Sequence, residues 1–138
     1  DDLVTGVQTC ALPIFVTTPQ DIALLDARKG IEMFQKVEVP VFGMIENMAA
    51  HVCSACGHVD PLFGEAGGRD LADAYDVPLL GQIPLTRVIR ECSDQGVPVV
   101  VAEPEGPVAA IYLEMGKQLM AMLEQYEAPE GPAISMGD

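Results

Sequence analysis

At 138 residues, 49% of them hydrophobic and 20% charged, the chain has the size of one domain and ample apolar material for a core. Its formal net charge of -14 argues against nucleic acid or an anionic membrane as partner, because such partners need a surface that neutralises phosphates. Four cysteines (Cys10, Cys53, Cys56 and Cys92) are too few and too uneven for a disulfide framework, and no apolar run approaches the roughly 20 residues that span a bilayer. No basic segment leads into an apolar one at the start, so the expectation is a soluble, cytoplasmic protein with reduced thiols.

Residues 1–14 stand apart. Val4-Thr-Gly-Val-Gln-Thr-Cys-Ala-Leu-Pro-Ile14 resembles the in-frame translation of a common sequencing-adapter oligonucleotide, and the stretch is set aside from the fold, Cys10 included. Phe15-Val-Thr-Thr18 reads as the end of a buried strand. Pro19 and Asp21 then open a helix whose apolar face is Ile22, Leu25, Ile31 and Phe34 with Ala23 and Ala27. Val39-Pro-Val-Phe-Gly-Met-Ile45 is a near-continuous apolar run, the signature of a strand covered on both faces of a parallel sheet.

Further on, Glu65 to Tyr75 has helical spacing through Ala66, Leu71 and Ala74, and Pro78–Ile83 reads as a short strand. Leu85–Gln95 reads as a helix stopped by Gly96, Val97–Ala102 as a last strand, and Pro107–Tyr126 as a closing helix with Ile111, Leu119, Met122 and Leu123 on one side. Residues 127–138, rich in Pro, Gly and acid, form a tail. Strands alternating with helices predict an α/β domain over residues 15–126, a mostly parallel sheet with flanking helices.

The chemistry concentrates between the second strand and the second helix, in His51-Val-Cys-Ser-Ala-Cys-Gly-His58. Two residues between Cys53 and Cys56 let the backbone turn and aim both sulfurs at one ion, and Gly57 can supply the positive φ of such a turn. Two thiolates are half a site, since structural zinc and iron-sulfur clusters normally take four protein ligands. His51 and His58 could complete a local Cys2His2 zinc site, but four ligands within eight residues would strain to reach a tetrahedron. A thioredoxin-like redox role is disfavoured because no helical pattern starts at Cys53. Cys92, in a helical stretch, reads as a small buried hydrophobe, and Met115, Met120 and Met122 as packing and flexible contact surface. The pairs Glu103/Glu105 and Glu127/Glu130 read as solvated surface.

No Gly-rich phosphate loop is present. Gly116-Lys117 is the one Gly-Lys pair, but Gln118 follows where Ser or Thr is required and the pair sits inside an amphipathic helix. Nevertheless Val16-Thr-Thr-Pro-Gln-Asp-Ile-Ala-Leu24, Ile45-Glu-Asn-Met48, Cys53-Ser-Ala-Cys56-Gly-His58, Phe63-Gly64, Leu80-Gly-Gln-Ile-Pro-Leu85 and Gly96-Val-Pro-Val99 together resemble the C-terminal part of the iron-sulfur cluster carriers of the Mrp/ApbC type.

That resemblance implies a P-loop NTPase fold of the deviant Walker A class, related to the MinD and ParA proteins, with its N-terminal strands and P-loop missing here. It implies a homodimer that holds a [4Fe-4S] cluster through Cys53 and Cys56 of both copies. It also implies Mg-dependent binding and hydrolysis of ATP in the full-length protein, and transfer of the cluster to apoprotein recipients. Asn47 matches the family's adenine-reading Asn, suited by an amide that both donates and accepts, and Pro84 the segment that lines the base. Lacking the phosphate loop, this chain alone is expected to be inactive as an ATPase. The alternative is a non-enzymatic interaction domain in which a zinc knuckle only fixes a loop.

Overall fold

The structure, a computed structural model, describes residues 12–126. The adapter-like stretch through Ala11, with Cys10, and the tail from Glu127 lie outside the described residues. The longest strand, β2 (Gly43–Val52), carries the sheet. On one edge it pairs in parallel with β1 (Ile14–Thr17), and on the other with β4 (Leu79–Leu85). Toward its C-terminal end it pairs antiparallel with the two-residue β3 (Val59–Asp60), so that His51 is bonded to Asp60 on one side and Leu85 on the other. The expected parallel sheet is thus present, with one antiparallel addition formed by the segment after the thiols. Ile14 opens β1, and Pro13 accepts a hydrogen bond from the Phe42 N–H at 2.8 Å, so the sheet begins inside the stretch that the sequence set aside.

Helices cover both faces, as strands buried on two sides require. Successive residues of β2 alternate: Met44 packs with Ala27 and Ile31 of α1 (Asp21–Lys36) and Leu71 and Ala72 of α2 (Gly67–Ala74). Its neighbour Ile45 packs with the cluster that joins Leu80 and Ile83 to Met115 of α5 (Pro107–Gln125). A third cluster of Cys92, Val99 and Val108 ties α3 (Arg87–Asp94) and α4 (Val99–Ala102) to α5. Cys92 is buried there, as a small hydrophobe would be. The far end of α5 is anchored by an edge-to-face contact of Tyr126 with Phe42, ring centroids 5.8 Å apart.

Five expectations are corrected. The second strand runs Gly43–Val52 where the apolar run predicted Val39–Ile45, and Leu85 ends β4, paired with His51, so that the helix expected from Leu85 begins at Arg87. Val97–Ala102 is not a strand: Pro98 leads into a single helical turn, with Ala102 and Glu103 N–H groups bonded back to Pro98 and Val99. A run of β-branched residues takes a ladder only where a sheet edge receives it. Here Val99 is buried against α5 while Val101 is 67% exposed. In α1 the buried stripe is Leu24, Ala27 and Ile31, whereas Ile22 and Leu25 face outward. In α5, Met115 fills the core and Ile111, Leu119 and Met122 flank it, but Leu123 and Met120 are exposed.

Met44 has no solvent exposure and joins both covering helices to β2. Met44→Ala should therefore cost about 2–5 kcal/mol, the range for buried large-to-small truncation, read as a lowered denaturation midpoint at unchanged slope.

Candidate thiol and nucleotide site

Beyond Val52 the chain leaves β2 and turns back into β3, so Cys53–His58 forms the tip of a hairpin. The Cys53 N–H donates to the His58 carbonyl at 2.9 Å, and the Gly57 N–H to the Cys53 carbonyl at 2.8 Å. Gly57 takes φ +71, the left-handed conformation for which it was singled out. Both thiols are free, Cys53 half-buried and Cys56 exposed. The Cys53 thiol is held below its ordinary pKa because the N–H groups of Ala55 and Cys56 point at its sulfur and the Cys56 thiol adds a further hydrogen bond. These donors favour the thiolate, the form in which a cysteine acts as nucleophile or metal ligand.

The two histidines do not join the thiols. The His51 ring approaches the Leu85 carbonyl, 3.4 Å from Nδ1, and His58 is exposed. Among the described residues no three His, Cys, Asp or Glu side chains come together as a metal site. Within one chain the hairpin therefore offers two sulfurs and no third or fourth protein donor.

Asn47 and Pro84 stand on adjacent strands but line different cavities. In the ladder Asn47 faces Ile83, the residue before Pro84, and the next pair is His51 with Leu85. Residues 48–50 of β2 thus bulge opposite Pro84 alone. Proline brings no N–H to a ladder, and the register breaks where it stands. At the bulge Met48 adopts φ +56, and its N–H donates to the Asn47 side-chain oxygen at 2.9 Å. Asn47 lines a cavity of about 490 Å³ with Thr17, Thr18 and Ala27. Pro84 lines a second, of about 650 Å³, between the hairpin, β4 and the start of α5.

One residue that carries much of this region went unread as a site residue. Glu46, next to Asn47, is only 2% exposed, and its carboxylate accepts hydrogen bonds from the Gly68 N–H at the start of α2 and from Gln82 Nε2 at 2.8 Å. A Cβ on residue 68 would crowd the Glu46 side chain, so a larger residue there would have to push the buried carboxylate aside. The available signal was a charged residue continuing an apolar strand, where a carboxylate must find partners.

Parallel strands with helices on both faces place the chain in the α/β class built as part of a P-loop NTPase fold. MinD of Pyrococcus horikoshii, a septum site-determining protein solved with Mg-ADP, superposes with a TM-score of 0.58 at 28% identity over 77% of this chain and 40% of that one. The chain belongs to the NUBPL iron-transfer P-loop NTPase family of ParA proteins, whose profile matches residues 2–120. It is 57% identical over 74% of its length to an iron-sulfur cluster carrier protein of Pseudomonas fragi, and 46% identical over 80% to the mouse iron-sulfur cluster transfer protein NUBPL. It spans about a third of the length of these two relatives, 36% and 35%. No described helix is long and apolar enough to cross a membrane.

Because its folded pKa is lowered, Cys53 reaches the thiolate form at a lower pH than an unassisted cysteine. Its alkylation by iodoacetamide, mapped by peptide mass, should reach half its limiting rate below the free-thiol value of about 8.5, and urea should return the midpoint to that value.

Proposed function

We propose that this chain is the cysteine-bearing part of an iron-sulfur cluster carrier, in which Cys53 and Cys56 of two copies hold one [4Fe-4S] cluster between them for delivery to apoproteins. The observation that carries this reading is the placement of two free thiols, one of them favoured as thiolate, at the tip of a hairpin where, among the described residues, no His, Asp or Glu joins them as a metal group. Four thiolates are the usual ligand set of such a cluster, and a two-fold axis brings the same patch of two chains face to face. The carrier and transfer names of the relatives support the cargo.

Exposure suits delivery. Cys56 lies open to an approaching cysteine, so a recipient thiol can lose its proton and take over the iron while the departing Cys56 sulfur accepts a proton. Cys53, half-buried and anchored through its backbone to His58, holds the tip in place meanwhile. The reduced thiols that this role needs fit a cytoplasmic setting.

Asn47 we assign to the adenine of ATP, and Pro84 to a wall of the same base on the strength of the family resemblance, although it opens onto the neighbouring cavity. Both lie toward the carboxyl ends of parallel strands, where ligands of open α/β sheets bind. Hydrolysis with Mg²⁺ and a phosphate loop is assigned to the full-length protein, since the sequence here holds no such loop.

The test is anaerobic reconstitution of the chain with ferrous iron and sulfide. A broad absorbance near about 400 nm with about four Fe per dimer is expected. Cys53→Ser or Cys56→Ser should abolish both signals and the dimer that accompanies them, while Cys92→Ser leaves them unchanged. A colourless monomer that retains zinc through the same treatment would replace the carrier with the zinc-knuckle domain.

A further inference from the structure

The thiol hairpin is held by more than its own ladder. It leaves the sheet after Val52 and returns through β3, which is two residues long, exposed at both, and paired with β2. So short a pairing is marginal by itself. From β3, residues 61–66 lead into α2, whose inner side is fixed where Leu71 and Ala72 pack with Met44. The opening of α2 lacks that support. It begins with Gly67 and Gly68, glycine being the weakest helix former apart from proline, and its N-cap is Ala66, left-handed at φ +63 and without a side-chain acceptor for the free N–H groups. The cap comes from the sheet instead. The Gly68 N–H donates to the Glu46 carboxylate, 22 positions back in the chain, and the other carboxylate oxygen takes Nε2 of Gln82, the ladder partner of Glu46 on β4. The chain from Glu46 to Gly68 is the whole excursion that carries Cys53 and Cys56, so one buried side chain closes its neck. Both roots of the hairpin meet there: the outgoing root because Glu46 belongs to β2, the returning root because Gly68 opens the helix to which β3 leads. The neck is tight, since a side chain at 68 would crowd Glu46 and one at 67 would meet Leu24 and Pro19.

We propose that Glu46 is the positioning residue of the thiol pair: its carboxylate clasps the neck of the excursion between residues 46 and 68 and so sets where Cys53 and Cys56 stand relative to the sheet. The proposal rests on the reading of those thiols as cluster ligands. Sulfurs that meet their counterparts across a two-fold axis must be aimed as well as exposed, and with the neck open they would stand at the end of a two-residue ladder. Glu46 touches neither thiol; it acts through the opening turn of α2 and the β3 root.

Amide hydrogen exchange of the 138-residue chain tests this, read at Cys53 and Gly57, whose N–H groups bond within the hairpin, and at Met44, whose N–H bonds to the Pro78 carbonyl in the sheet. Glu46→Ala should speed exchange at Cys53 and Gly57 about tenfold more than at Met44. Glu46→Gln keeps an acceptor for the Gly68 N–H and should return the hairpin amides to the rates of the unsubstituted chain. Val99→Ala, a truncation in the cluster of α3, α4 and α5, should give no such excess in the hairpin. Should Glu46→Ala fail to fold, Gly68→Ala decides, because its Cβ displaces the carboxylate while alanine suits a helix: excess exchange in the hairpin sustains the clasp and unchanged exchange overturns it. Equal acceleration of hairpin and sheet in Glu46→Ala, no acceleration, an excess that persists in Glu46→Gln, or the same excess in Val99→Ala each overturns the proposal. A second arm follows iron loss to a chelator from the reconstituted chain, expected about tenfold faster in Glu46→Ala; an unchanged rate overturns the positioning role. An unsubstituted chain that takes up no cluster ends the carrier reading, and the exchange rates still decide the clasp.

Discussion

The pairing of β2 along both its edges is the constraint on which the rest of the structure depends. Ten residues long, it is bonded to β1 and then β3 on one side and to β4 on the other, and its side chains feed both helical layers in alternation. Because side chains alternate with period two, a slip of one residue would send Met44 and Ile45 to the wrong layers. The same strand runs from that core past Asn47 to the root of the thiol hairpin. A doubly paired strand is thus what holds the pair of sulfurs, Cys53 half-buried and Cys56 exposed, at a fixed place relative to the sheet.

Along this strand regular pairing gives way where chemistry begins. Up to Asn47 the β2–β4 ladder runs parallel with one early irregularity. At Pro84 it breaks, and Met48 is pushed into a left-handed conformation whose N–H is taken by the Asn47 side chain. Backbone strain of this kind persists only where surrounding structure over-determines it. The surroundings here are the buried Glu46 on one side of Asn47, tied to α2 and to Gln82, and the hairpin bonds on the other. Strand, helix entry and bulge are therefore one unit rather than neighbours by accident of topology.

The thiol pair and its turn were legible from residue spacing because they are local: two intervening residues and a glycine define the loop whatever lies around it. The first helix and the existence of three parallel strands were legible for the same reason, through Pro19, Asp21 and the near-continuous apolar run to Ile45, although the second strand lies further along, at Gly43–Val52. The stretch Val97–Ala102 was not, because β-branched residues fit a strand or a buried helical turn equally until an edge or a helix is there to receive them. Nor could the apolar face of α1 be chosen between Leu24 and Leu25, since one residue rotates the stripe by 100° and packing alone selects it.

By itself the sequence determined the α/β alternation, the two-sulfur knuckle with its turn glycine, and the absence of a phosphate loop, all of which follow from spacing and residue type within short windows. Tertiary structure alone decided that the segment after the thiols returns as an antiparallel strand, that His51 turns to the Leu85 carbonyl instead of to a metal, and that Asn47 and Pro84 open onto separate cavities. It alone revealed Glu46 as a buried carboxylate held by residues 22 and 36 positions away. Contacts of that kind are set by where strands and helices converge in space, and no local pattern encodes them.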